Sequence, residues 1–181
     1  GAYGTFSNGA STSVGIANGI LLTTGSATNA IGPNNNASSG NCLGTSFSDP
    51  NLITLEPNAV HDVCILEFDI VPQCNQLTLK FVFGSEEYPE FVNSSVNDAF
   101  GFFMTGPNPA GGTYNGYNVA RLPDGITQVS IDNVNAGSHA AYYVNNAGSS
   151  SIQYDGLTTQ LTCTLNLVPC GNYHFKLAIA D

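Results

Sequence analysis

The fold is decided by the stretch Tyr173-His-Phe-Lys-Leu-Ala-Ile-Ala180, in which large apolar side chains occupy every second position. In a β-strand the odd-numbered positions from 173 to 179 would all face one way, because successive side chains alternate between the two faces of a sheet. The segments 77–83 and 100–104 carry similar stripes. One such stripe cannot shield itself from water, so the pattern predicts sheets that pack face to face.

Similar patterns of period two recur along the chain, whereas no convincing pattern of period 3.6 is present. We predict one domain over residues 1–181, an all-β, antiparallel β-sandwich of jelly-roll type. Long Gly/Asn/Ser-rich loops should connect its strands, and the longest runs from Gly25 to Pro50. Strands are predicted at residues 14–24, 62–71, 77–84, 99–105, 117–122, 127–134, 141–144, 151–154, 158–167 and 173–180.

The charge of the chain limits its partners. It has 13 acidic residues against three basic ones and a formal net charge of −10, and charged residues make up only 9% of it. Nucleic acid and anionic membrane surfaces are therefore poor partners, since both require clustered Lys and Arg. No apolar run approaches the ~20 residues needed to cross a bilayer. A surface of neutral polar groups is typical of extracellular proteins.

The ends and the cysteines of the chain add two further expectations. The chain opens in a Gly-rich segment and stops at the end of a strand pattern, so we interpret it as a fragment cut at both ends from a larger protein. Cys163 and Cys170 flank a short connection and are a possible disulfide, which would stabilise by ~2–3 kcal/mol. Buried free thiols are the alternative.

Acidic and amide side chains gather where two strand patterns meet. Glu86 and Glu87 follow the stripe 77–83, and Asn97 and Asp98 precede the next stripe. In a hairpin these two ends lie side by side. Two carboxylates about 4 Å apart repel by about 4 kcal/mol at an effective dielectric constant of 20. Hydration, a shared proton or a bound cation must offset that repulsion.

Calcium is the simplest candidate, because it binds about six to eight oxygens from carboxylates, amides and carbonyls. Asp181 continues the inward register of residues 173–179, where an unpaired carboxylate would be costly. The sequence therefore predicts a structural calcium site. In the alternative interpretation the glutamates are solvated and Asn97-Asp98 caps a turn. The predicted ligands are Glu86, Glu87, Asn97, Asp98 and Asp181.

Sites for catalysis are less well supported. Pairs such as Glu67/Asp69 or Glu86/Glu90 could serve a glycoside hydrolase, but chance pairs are plentiful among 13 acids. The chain has no Gly-x-Ser-x-Gly nucleophile elbow. Tyrosines in or beside loops could stack on sugars, although tyrosine is also ordinary at sandwich edges. We therefore expect a non-catalytic protein, with a carbohydrate-binding module as the alternative and a polysaccharide hydrolase as the weakest candidate.

Several ordered segments resemble one known family, the choice-of-anchor L domains. The resemblance covers nearly the whole chain and includes Phe81-Val-Phe-Gly-Ser-Glu-Glu-Tyr-Pro-Glu90 and Asn97-Asp-Ala-Phe-Gly-Phe-Phe103. The other segments are Gly19-Ile-Leu-Leu-Thr-Thr-Gly25, Ile31-Gly-Pro-Asn34, Leu66-Glu-Phe-Asp69, Gly106-Pro107, Tyr154-Asp-Gly-Leu-Thr-Thr159, Pro169-Cys170 and Leu177-Ala-Ile-Ala-Asp181.

The resemblance implies a module of a large secreted surface protein of Bacteroidota. It implies export as cargo of the type IX secretion machinery, a location on the exterior of the outer membrane, and a role in adhesion or gliding motility. It supplies no catalytic residues, and the calcium proposal is independent of it. We expect a calcium-stabilised adhesin module whose ligand is an unidentified surface glycan or protein, without nucleic-acid binding or membrane insertion.

Overall fold

The structure is a computed structural model that describes residues 2–181. Its strands pair in antiparallel fashion throughout this range, as the all-β prediction requires. Short 3₁₀ turns cover Gly9–Ser11, Ala27–Ala30 and Ala140–Tyr142. The longer elements are β1 (Ala2–Ser7), β2 (Asn18–Thr23), α1 (Pro50–Leu55), β3 (Cys64–Ile70), β4 (Gln76–Phe81), β5 (Gly84–Ser85), β6 (Ala99–Pro107), β7 (Thr113–Asn118), β8 (Tyr143–Asn145), β9 (Gly156–Thr158), β10 (Leu161–Asn166) and β11 (Tyr173–Ala180).

Two layers of strands form a β-sandwich. One layer is the sheet with strand order β3-β11-β6-β7. The other layer consists of the two-stranded sheet β10-β4 and the three-stranded sheet β5-β9-β8. These two sheets are connected by the N–H of Thr158 in β9, which donates to the carbonyl of Phe83 at 2.8 Å. The stripes predicted from residues 77–83, 100–104 and 173–179 meet between the layers. The sandwich prediction is therefore confirmed.

The second face of β11 is also covered, which the sequence pattern did not indicate. Helix α1 packs on this face, and Leu52 forms a second apolar cluster with Phe103 and Ala178. The cluster encloses the Lys176 ammonium, which donates to Asp49 Oδ2 at 2.6 Å. The Asp49 side chain also accepts hydrogen bonds from the first backbone N–H groups of α1, as an N-cap does. One carboxylate thus caps the helix and pairs with a buried cation of the sheet.

The loop from Gly25 to Pro50 is fixed to the body of the domain at several points. Asp62 is buried and accepts hydrogen bonds from Leu43 N, Thr45 N and Thr45 Oγ1, each at 2.8 Å. Burial alone would raise the pKa of Asp62, but these hydrogen bonds hold the pKa below its ordinary value. The carboxylate therefore stays ionised and holds the middle of the loop.

Some predicted strands are wrong. Residues 127–134 form bends and turns, joined to the sheet region only by an isolated bridge between Arg121 and Gln128. Residues 151–154 contribute one isolated bridge, at Ile152. The first strand, β1, was not predicted, because its two large side chains, Tyr3 and Phe6, are three positions apart and show no period-two alternation. None of the helices described between residues 2 and 181 is both long enough and apolar enough to span a membrane.

Candidate metal centre

The pairing of β6 with β11 places two carboxylates at one edge of the four-stranded sheet. Ala99, the first residue of β6, lies opposite Ala180, the last residue of β11. Asp98 precedes β6 and Asp181 follows β11, so the antiparallel register brings them to the same end. The backbone of Asp181 is fixed by two hydrogen bonds with His61, of 2.9 and 3.1 Å. Asp181 is exposed, contrary to the inward orientation predicted for it.

The turn after β5 brings a third carboxylate to this edge. The Ser85 hydroxyl donates to Asp98 Oδ2 at 2.7 Å and accepts from the Glu87 N–H at 2.9 Å. The Glu87 side chain reaches back, and its Oε2 accepts from the Asp98 N–H at 3.2 Å. Ser85 is buried, so its hydroxyl connects the two acidic segments within the protein.

A buried tyrosine anchors the turn that carries Glu87. Tyr88 is fully buried, and its hydroxyl donates to the Val134 carbonyl at 2.5 Å. Its ring packs against Tyr143, with 5.0 Å between the ring centroids, and closely against the backbone of Gly156. The position of Glu87 is therefore set by the core and not by a mobile loop.

Glu87, Asp98 and Asp181 form a group that we call the carboxylate triad. One oxygen from each lies within 4.8 Å of the other two. Calcium binds oxygens at ~2.3–2.6 Å, so two oxygens on one ion lie up to about 5 Å apart. The spacing of the triad therefore fits a single calcium ion, with backbone carbonyls and water able to complete the coordination.

The electrostatics of the triad favour a bound cation. Burial raises the pKa of Asp98 to about 8, and the neighbouring charge of Glu87 adds to the increase. Burial also raises the pKa of Glu87; the Asp98 N–H opposes this shift, and the charges of Asp181 and Asp132 reinforce it. None of the ion pairs formed within residues 2–181 includes a member of the triad. A cation would offset repulsion that no Lys or Arg side chain neutralises.

The sequence matches the family described as the choice-of-anchor L domain over residues 1–181. The chain belongs to this family. Searches of curated proteins and of solved structures gave no match.

Membership classifies the protein coarsely. As a choice-of-anchor L domain, it is a module of a secreted or cell-surface protein. Domains of this family are generally non-catalytic. The resemblance inferred from the ordered motifs is thus confirmed over the whole chain.

Two predicted ligands of this choice-of-anchor L domain lie outside the carboxylate triad. Asn97 points toward the end of α1, where its Nδ2 donates to Glu56 Oε2 at 3.1 Å. Glu86 turns toward the long loop, and its Oε2 accepts from the Ser39 N–H at 3.3 Å. In each case the next residue along the chain, Asp98 or Glu87, supplies a triad carboxylate instead. The structure therefore brings together three of the five predicted ligands.

Asp132 is an acidic neighbour of the triad that the sequence did not reveal. Its Oδ1 accepts a hydrogen bond from the Asn93 N–H, and its charge helps to raise the pKa of Glu87. Residues 127–134 were interpreted as a strand, which concealed the turn that carries Asp132. The only available signal was the Asp-Asn pair at 132–133, since both residues are frequent in turns.

The possible disulfide between Cys163 and Cys170 is not observed. All five cysteines within residues 2–181 are free. The buried Cys163 thiol donates to the Val119 carbonyl at 2.8 Å, whereas Cys170 is exposed in the next loop. Burial raises the pKa of the Cys163 thiol, which keeps it protonated. The alternative of a buried free thiol therefore describes Cys163.

Three of the four acids considered for glycoside hydrolysis, Glu67, Asp69 and Glu90, occupy open surfaces. Glu67 and Asp69 are exposed on β3, on either side of His174; the His174 Nδ1–Asp69 Oδ1 distance is 2.9 Å. The side chains of Glu67 and Asp69 lie on the same face of β3, which is an edge strand of its sheet. Glu90 is also exposed.

A separate cavity lies at the opposite end of β6 from the triad. Its volume is about 420 Å³, and Asn75, Asn108, Tyr114 and Asn166 contribute to its lining. The Tyr114 ring lies 5.9 Å, centroid to centroid, from that of the exposed Tyr117. Amides and aromatic rings are groups that bind sugars. Tyr114 and Tyr117 therefore do not share a site with the carboxylate triad.

Proposed function

We propose that this choice-of-anchor L domain is a calcium-stabilised, non-catalytic module of a secreted bacterial adhesin. It serves adhesion or gliding motility on the exterior of the outer membrane and is exported by the type IX secretion machinery. Its partner is a surface glycan or a protein. The observation that carries the calcium role is the convergence of three carboxylates, from Glu87, Asp98 and Asp181, within 4.8 Å.

The position of the triad explains what the ion would do. Glu87 belongs to the β5–β6 connection, Asp98 begins β6 and Asp181 follows β11. One ion would therefore cross-link three chain segments that are far apart in sequence. Calcium would stabilise the folded state only, because unfolding disperses the three carboxylates.

Calcium should raise the melting temperature of the wild-type domain. At a free calcium concentration of 100 times Kd, linkage predicts about 2.7 kcal/mol of stabilisation, or roughly 5–10 °C for a domain of this size. Differential scanning calorimetry in CaCl₂ and in EDTA measures the difference. Glu87→Gln and Asp98→Asn should each reduce it.

Glu67→Gln is the matched control, since it removes an exposed carboxylate outside the triad. This variant should keep the full response to calcium. Equal melting temperatures of the wild type in CaCl₂ and EDTA would contradict a stabilising ion. A response of undiminished size in both triad variants would place the ion elsewhere.

Carbohydrate binding is a second candidate function, favoured by the cavity beside Tyr114. If this cavity binds sugars, a glycan array should give signals that Tyr114→Ala eliminates and that EDTA leaves unchanged, because the triad lies at the other end of β6. Tyr3→Ala is a control, since Tyr3 is exposed on β1. Absence of signal on every glycan would favour a protein partner or a purely structural role.

A further inference from the structure

The geometry points to a second cation site, formed by Glu86 and Asp155, that fastens the long Gly25–Pro50 loop to the strands. Glu86 was predicted to share one ion with Glu87, but its side chain lies on the other side of the turn. The proposed site does not depend on the carboxylate triad.

Two buried carboxylate oxygens carry this inference. Glu86 Oε1 and Asp155 Oδ2 are inaccessible to solvent and have no hydrogen-bond partner among residues 2–181. Asp155 is only 9% exposed as a whole residue. A buried acceptor without a partner typically costs about 1–3 kcal/mol, and more when it is charged. Two such oxygens on neighbouring acids therefore indicate a missing positive partner.

The remaining oxygen of each carboxylate is held by the long loop. Glu86 Oε2 accepts from Ser39 N at 3.3 Å, and Asp155 Oδ1 accepts from Asn34 Nδ2 at 2.9 Å. Both donors are N–H groups, which stabilise the ionised form of a carboxylate. The loop thus orients each acid while leaving its second oxygen free to bind a cation.

The surroundings of the two acids are polar. Asn34 Nδ2 also donates to the carbonyls of Asn146 and Tyr154, both at 3.3 Å, and Gln153 Nε2 donates to the Asn36 carbonyl at 2.9 Å. No ion pair formed within residues 2–181 includes Glu86 or Asp155. Burial raises the pKa of Glu86; the Ser39 N–H and the Gln153 side chain oppose this shift, and the charge of Asp155 reinforces it.

A hard divalent cation suits this arrangement better than a shared proton. One proton shared between Glu86 and Asp155 would leave one negative charge on the pair, and no ion pair formed within residues 2–181 neutralises that charge. Calcium would balance both charges, and its preference for oxygen matches the carboxylates, amides and carbonyls present. The bound ion would link the loop to the turn after β5 and to the start of β9.

Counting bound calcium tests the site directly. In equilibrium dialysis with ⁴⁵Ca²⁺, the wild-type domain should bind two ions per chain, and both Glu86→Gln and Asp155→Asn should bind one. Glu87→Gln should also bind one, through the loss of the triad ion, and Glu86→Gln combined with Glu87→Gln should bind none. Glu67→Gln, the control, should still bind two.

Limited proteolysis shows which ion is lost. Thermolysin cleavage between Gly25 and Pro50 should be slowed several-fold by calcium in the wild type and in Glu87→Gln, but not in Glu86→Gln. The inference is overturned if Glu86→Gln binds as much calcium as the wild type. A proton shared between Glu86 and Asp155 would give a different pair of results: Glu86→Gln would raise the melting temperature, and calcium would leave loop cleavage of the wild type unchanged. These two results together would also overturn the inference. The calcium binding of Glu87→Gln separately tests whether the triad binds an ion.

Discussion

Replacing Asp49 by alanine should lower the free energy of unfolding by about 3–5 kcal/mol, which is typical when one partner of a buried ion pair is removed. The Lys176 ammonium would remain in a low-dielectric environment beside Phe103, whose ring centroid lies 5.3 Å from its Nζ. Helix α1 would also lose its N-cap, which contributes typically about 1 kcal/mol. Urea denaturation followed by circular dichroism measures the change.

Two further variants separate the charge from the cap. Asp49→Asn keeps a good N-cap but removes the negative charge, so it should be less destabilising than Asp49→Ala. Combining Asp49→Ala with Lys176→Met should recover much of the loss, since an apolar side chain of similar size then fills the cluster without a buried charge. If Asp49→Ala unfolds at the wild-type urea concentration, the buried ion pair does not stabilise the domain.

Gly156→Ala should destabilise the domain by about 3 kcal/mol, at the upper end of the typical range for overpacking. A Cβ at this position would lie 2.4 Å from atoms of the Tyr88 ring, which is fully buried and hydrogen-bonded to Val134. The ring cannot move without displacing the turn that carries Glu87. The same variant should therefore also weaken calcium binding, measured by calorimetric titration.

Gly40→Ala provides the control for this substitution. Gly40 lies in the long loop, and a Cβ there would have no heavy atom within 4 Å. Its unfolding free energy and calcium affinity should match those of the wild type. If Gly156→Ala behaves like Gly40→Ala in both measurements, Tyr88 does not set the position of Glu87.

Strand alternation was the part of the fold that could be predicted from sequence. Tyr173, Phe175 and Leu177 are buried, as the period-two pattern indicated. Helix α1 was missed because its six residues are too few to show a period of 3.6. The burial of Lys176 was missed for the same reason, since nothing in β11 itself shows that a helix covers its second face.

The site residues that could be predicted from sequence were also those next to clear strands. Asp98 and Asp181 could be placed together because each adjoins the end of a clear strand. The separation of Glu86 from Glu87 depends on the direction of each side chain in a turn, which Tyr88 sets through contacts distant in sequence. The tertiary fold brings Asp132 close to Glu87 and Asp155 close to Glu86, and only the turn-forming pair Asp132-Asn133 gave a local signal.

The most direct test of calcium binding by the carboxylate triad is an anomalous difference map from crystals grown with CaCl₂ and measured at a long wavelength. We expect a calcium peak within ~2.3–2.6 Å of oxygens of Glu87, Asp98 and Asp181. A map without a peak between these three carboxylates, at calcium concentrations that saturate any binding seen in solution, would contradict the central claim.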